Sequence, residues 1–112
     1  MPRGNLTPVP DMMAPFDIPF LEKEVKVGDK AFRFRELSVA ENDACLEAAR
    51  KPDGDIDGRI MMRLMMTKSA VEPALNADII SKLPSRVYIK LAEAVNDINA
   101  AEDEEEGSEG NA

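Results

Sequence analysis

The stretch Glu22–Glu36 permits few folds. Two alternating segments, Glu22–Val27 and Lys30–Glu36, flank Gly28-Asp29, a two-residue turn whose twist matches that of paired strands. Pairing about that turn sets Val25 opposite Phe32 on one face, and Phe34 continues the apolar side. On the other face Glu24 falls opposite Arg33 and Glu22 opposite Arg35. Such pairs contribute only about 0.2–1 kcal/mol each, but together they select one register. Every later periodic segment has the spacing of a helix. The chain is therefore expected to be α+β: a small N-terminal β-hairpin followed by a compact bundle of three to four α-helices.

Ser38-Val39-Ala40-Glu41 has the form of a capping box and starts a helix over about 39–50. Ala40, Ala44 and Ala48 recur every four residues, with Cys45 and Ala49 beside them, a face small enough for another helix to approach closely. The expected neighbour is the next helix, about 58–72, which holds Met61, Met62, Met65 and Met66 of the chain's seven methionines. At about 100° per residue Ile60, Leu64 and Val71 share one stripe, predicted to face the alanines. Met62 and Met66 fall nearly opposite, flanked by Arg59 and Arg63. Methionine repacks against irregular apolar shapes, so these side chains form either a second layer of core or a soft contact surface for a partner.

Asn76 is placed to cap a short helix over 77–82, which offers Ile79, Ile80 and Leu83. Pro84 suits the first turn of a last helix over 85–100. There Val87, Leu91, Ala94, Val95 and Ile98 make one stripe, with Lys90, Glu93 and Asp97 on the other side. Ile89 lies off that stripe and reads as a second exposed apolar contact. The candidate protein-binding residues are thus Arg59, Met62, Arg63, Met66 and Ile89.

Around a single domain at 21–100 the ends differ in composition. Residues 1–20 carry Pro2, Pro8, Pro10, Pro15 and Pro19, which predicts an extended arm rather than a helix or central strand. Its apolar residues Met12, Met13, Phe16, Ile18 and Phe20 predict that its second half lies against its own domain or a neighbour. Residues 101–112 form an acidic tail with the composition of a disordered segment. The net charge of −8 is largely its doing: taking its six acids from the total of 22 leaves 16 against 14 bases. With no basic patch to offset phosphate charge, nucleic-acid binding is not expected.

Little in the chain suggests catalysis. Histidine is absent, which removes Ser-His and Cys-His chemistry, and no Gly-rich loop introduces a helix as a phosphate site would. Cys45 is expected to be a buried, inert thiol. Asp53, Asp55, Asp57, Gly58 and Ile60 match the opening of a calcium-binding EF-hand loop, but Met61 and Leu64 stand where its last ligands belong. A turn at Pro52-Asp53-Gly54 followed by an aspartate cap accounts for the same residues. No catalytic residue, metal or cofactor is expected. Neither a signal-peptide run nor a membrane span is legible, so a soluble intracellular protein is expected.

Taken in order, these parts resemble the small tail assembly chaperones of long-tailed bacteriophages, particularly those of actinobacterial phages. The resemblance covers about residues 20–100. It rests on Phe32-Arg33-Phe34-Arg35-Glu36-Leu37-Ser38-Val39-Ala40-Glu41, on Pro52-Asp53-Gly54 with the hydrophobic helix after it, and on Leu83-Pro84-Ser85-Arg86-Val87-Tyr88. It implies a helical protein of the host cytoplasm, absent from the mature virion, that binds the tape-measure protein and helps recruit tail-tube subunits. It also implies a longer frameshifted form of the chain as a further partner, and no active site. Two other readings stay open: a virion structural or connector protein reaching a neighbour with its proline-rich arm, and an acidic inhibitor of a DNA-binding protein.

Overall fold

The computed structural model describes residues 7–13 and 15–100, with side chains from Phe16 onward. The protein is α+β. Four antiparallel strands lie in the order β1 (Thr7–Met13), β2 (Pro19–Val27), β3 (Lys30–Arg35) and β4 (Ala70–Glu72). The helices are α1 (Val39–Ala48), α2 (Gly58–Ser69), α3 (Ala77–Ser81) and α4 (Ser85–Asn99).

The β2–β3 hairpin has the expected register, with Val25 paired to Phe32, Glu24 to Arg33 and Glu22 to Arg35. Gly28 opens its turn at φ 62°, a conformation that disfavours any side chain. The charges, however, do not pair straight across. Arg33 reaches diagonally to Glu22 and sideways to Glu72, each at 3.2 Å, while Arg35 leaves the sheet for Glu41 on α1. A diagonal neighbour is within reach of a long side chain, and a bidentate fork outcompetes a single contact.

Two strands join the predicted hairpin. Part of the proline-rich arm is strand β1, paired to β2 at Thr7–Glu22 and Pro8–Leu21. Proline is tolerated there because β1 is an edge strand, whose outward amides need no partner. Residues 1–6, residue 14 and the acidic tail lie outside the described residues. At the other edge β4 pairs with β3 through Phe34–Ala70 and Arg33–Glu72. The methionine helix therefore ends at Ser69, not at 72, and runs into β4 without a loop. Ser69 is fully buried at this junction, and its hydroxyl donates to the Arg35 carbonyl at 2.9 Å.

One face of the sheet, carrying Phe32, Phe34, Val25 and Val27, meets the helices. α4 lies along β2 and β3, α2 reaches β3 beside it, and α1 and α3 pack on α2. The predicted α4 stripe is the buried one: Val87, Leu91, Ala94, Val95 and Ile98 all face the core. Asp97, expected on the outer side, instead takes the Lys23 ammonium at 3.2 Å and ties α4 to β2.

The rotation of α2 overturns the expected stripe at both ends, although Leu64 in its middle does pack against the core. Met65 and Met66 are buried and Met61 and Met62 pack against the same core, whereas Ile60 is 43% exposed and Val71 is exposed in β4. The pairing of Ala70 with Phe34 and the Ser69 hydrogen bond set that rotation, so the methionines turn inward whatever their branching. Unbranched side chains suit this position, between α4, β3 and two smaller helices. α1 is corrected likewise. It does pack on α2, but through the Cys45 and Ala49 side, leaving Ala40, Ala44 and Ala48 exposed. Burial pushes the Cys45 thiol pKa up.

Candidate protein-binding cleft

Of the five residues proposed from the sequence, Arg59 and Arg63 stand exposed one turn apart on α2. Met62 is half-buried and Met66 has no exposed surface at all, so Met66 is core and not contact. Ile89 is 55% exposed on α4, opposite the buried stripe as expected. These residues do not form one apolar surface, because the methionines meant to supply it point inward.

Among the described residues the most exposed large apolar side chains are Phe16, Val39 and Ile18, and they lie elsewhere. A cleft of about 440 Å³ opens between Ile18, Pro19 and Phe20 at the start of β2 and residues 36–40 leading into α1. Ile18 is 62% exposed and Val39 78% exposed on its two walls, and Phe16, just upstream, is 92% exposed. Burying such a side chain is worth about 1.5–3 kcal/mol, so three together forgo a large stabilisation. Phe16 and Asp17 also hold left-handed backbone, at φ 65° and 61°. Two consecutive non-glycine residues in that region cost on the order of 1–3 kcal/mol each.

The walls are held firmly. The Leu21 amide donates to the Glu36 carboxylate at 2.8 Å and the Glu36 amide to the Leu21 carbonyl at 2.9 Å, which clamps β2 to the end of β3. Leu37 donates its amide to Asn99 Oδ1 at 2.8 Å, anchoring the same segment to the end of α4. The capping box then starts α1: the Glu41 amide donates to Ser38 Oγ at 3.1 Å, and the Ser38 amide donates to Glu41 Oε1 at 2.9 Å. Arg35 grips the same carboxylate from the sheet with two bonds, at 2.9 and 2.8 Å. That guanidinium, helped by the capping amide, lowers the Glu41 pKa to about 2, and Glu41 in turn raises that of Arg35.

Reading the sequence missed this cleft. The signal for its α1 wall was Val39, an apolar residue in the first turn that falls off the Cys45–Ala49 face. Phe16 and Ile18 were expected to lie against something, and their exposure shows it is not the described part of their own chain.

The aspartate loop is accounted for by backbone geometry. Asp53 accepts from the Asp55 amide at 2.9 Å, and Asp57 caps α2 by accepting from Arg59 and Ile60 at 3.0 and 3.2 Å. Among the described residues no three His, Cys, Asp or Glu side chains gather as a metal ion would need. Nor is any described helix long and apolar enough to cross a membrane.

These features define a small α+β domain, a four-stranded antiparallel sheet covered on one face by helices, with an apolar cleft at its rim. Compared with family models, with curated proteins and with solved structures, the chain shows no match.

Proposed function

We propose that this protein is a non-catalytic assembly factor of the phage tail-chaperone kind, which covers apolar helix faces of a tape-measure protein and helps recruit tail-tube subunits to it. The observation carrying this reading is the cleft, with Phe16, Ile18 and Val39 exposed around a rigid frame. A long client with exposed apolar faces aggregates unless they are covered, and a small domain keeping such side chains in water is suited to cover them. The surface expected around Met62 and Met66 does not support this role, because Met66 is core and Met62 is half-buried against it. On this reading the protein acts in the host cytoplasm, uses no cofactor and needs neither nucleic acid nor membrane.

Co-expression with the tape-measure protein of the same phage tests it. The tape measure should stay soluble and co-purify with the full chain, and purified particles should lack the chain. Recovery of the chain in stoichiometric amounts from particles would overturn the reading in favour of a virion connector.

A further inference from the structure

We infer that the cleft between β2 and α1 takes a short apolar segment of a partner protein that carries lysine or arginine beside its apolar residues. This inference deepens the chaperone reading and rests on it. The apolar part of the match comes from Ile18, Phe20, Leu37 and Val39. The charged part comes from what surrounds them. The stretches 16–20 and 36–44 contain the acids Asp17, Glu36, Glu41 and Asp43 and no base.

Those acids are unequally available. Glu41 is neutralised by Arg35 at 2.8 Å, and one Glu36 oxygen is taken by the Leu21 amide. Asp17 and Asp43 are exposed and have no ion-pair or hydrogen-bond partner among the described residues. On α1, Asp43 follows Val39 by one turn, so it stands on the same face as the cleft wall. The positive end of the α1 dipole is already matched by Glu41 within the capping box, which leaves it little attraction for an acidic partner. A lysine or arginine next to an apolar anchor seated at Val39 would gain the unpaired Asp43 carboxylate, and one at the Ile18 end the unpaired Asp17 carboxylate, whereas an anion would gain neither.

The test uses the full chain and two synthetic amphipathic helices of about 18 residues, five turns, with the same leucine and alanine face. One carries lysine on its polar face and the other glutamate. Amide-shift titration should move residues 16–20 and 36–43, and the lysine peptide should bind at least about tenfold tighter, the gap narrowing as salt is added. Val39→Gln, at an exposed position, should weaken both peptides while leaving the fold intact. Asp17→Asn with Asp43→Lys should erase the preference for lysine, asparagine being chosen because it tolerates left-handed backbone. Equal or tighter binding of the glutamate peptide, shifts centred on Ile60 and Ile89, or no binding of either peptide would overturn the inference. If the tape measure is retained on co-expression but lysine brings no advantage, the cleft inference fails alone. If the lysine peptide seats in the cleft while no tail protein is retained, the chaperone reading fails alone.

Discussion

Met66 and Ile60 sit six residues apart on one helix and have exchanged the roles their chemistry would suggest. The unbranched methionine is fully buried and the branched isoleucine is 43% exposed. Met66→Ala should therefore cost about 2–5 kcal/mol in urea denaturation, and Ile60→Ala about 1 kcal/mol or less. Equal costs would mean that α2 is rotated otherwise in solution. A second residue-scale effect concerns Glu41, whose folded pKa of about 2 lies below the ordinary carboxylate value. A lowered pKa stabilises the fold above the unfolded value, near pH 4.3, and that contribution is lost as pH falls toward 2. Allowing for solvent screening of a partly exposed pair, it amounts to about 1 kcal/mol. Glu41→Gln keeps the capping hydrogen bonds but not the charge. The variant should be less stable at pH 7, and its stability should fall less steeply between pH 5 and 2.

Elements differ in how much of their placement is local. The capping box, the Gly28-Asp29 turn and the α4 stripe each depend on residues within one or two turns, and each stands where periodicity put it. β4 is three residues long and carries no period of its own, so nothing in Ala70-Val71-Glu72 announced a strand. β1 was hidden by Pro8 and Pro10, which argue against a central strand but say nothing against an edge. The facing of α2 is decided by β4 pairing with β3, far away in sequence, and a helical wheel has no access to that. The cleft was illegible for a related reason. An exposed valine and a buried one are the same letter, and only the packing of residues 36–40 against β2 separates them. Ser69→Ala tests the joint that sets α2. It removes the buried donor to the Arg35 carbonyl and should cost about 1–3 kcal/mol. An unchanged midpoint would mean that strand pairing alone holds the joint.

At the scale of the molecule, α4 is the slab on which the rest is assembled, since it touches β2, β3 and α2 and is anchored at Asp97 and Asn99. Opening it exposes most of the core at once. In native-state hydrogen exchange the amides of Leu91, Val95 and Phe34 should therefore be the slowest and report global unfolding, while residues 51–56 should exchange by local opening. If loop and α4 amides exchange alike, the domain opens as one unit. The direct passage of α2 into β4 bears on which insertions and deletions the chain tolerates. A helix advances about 100° per residue and a strand about 180°, so the two elements are locked in phase at Ser69-Ala70. One residue added at that point would either swing the four methionines out of the core or shift Val71 and Glu72 each to the other face of the sheet. The aspartate loop, exposed and closed by its own turn, has no such phase to keep. Length variation among descendants of this sequence should accumulate there and be purged at 69–70.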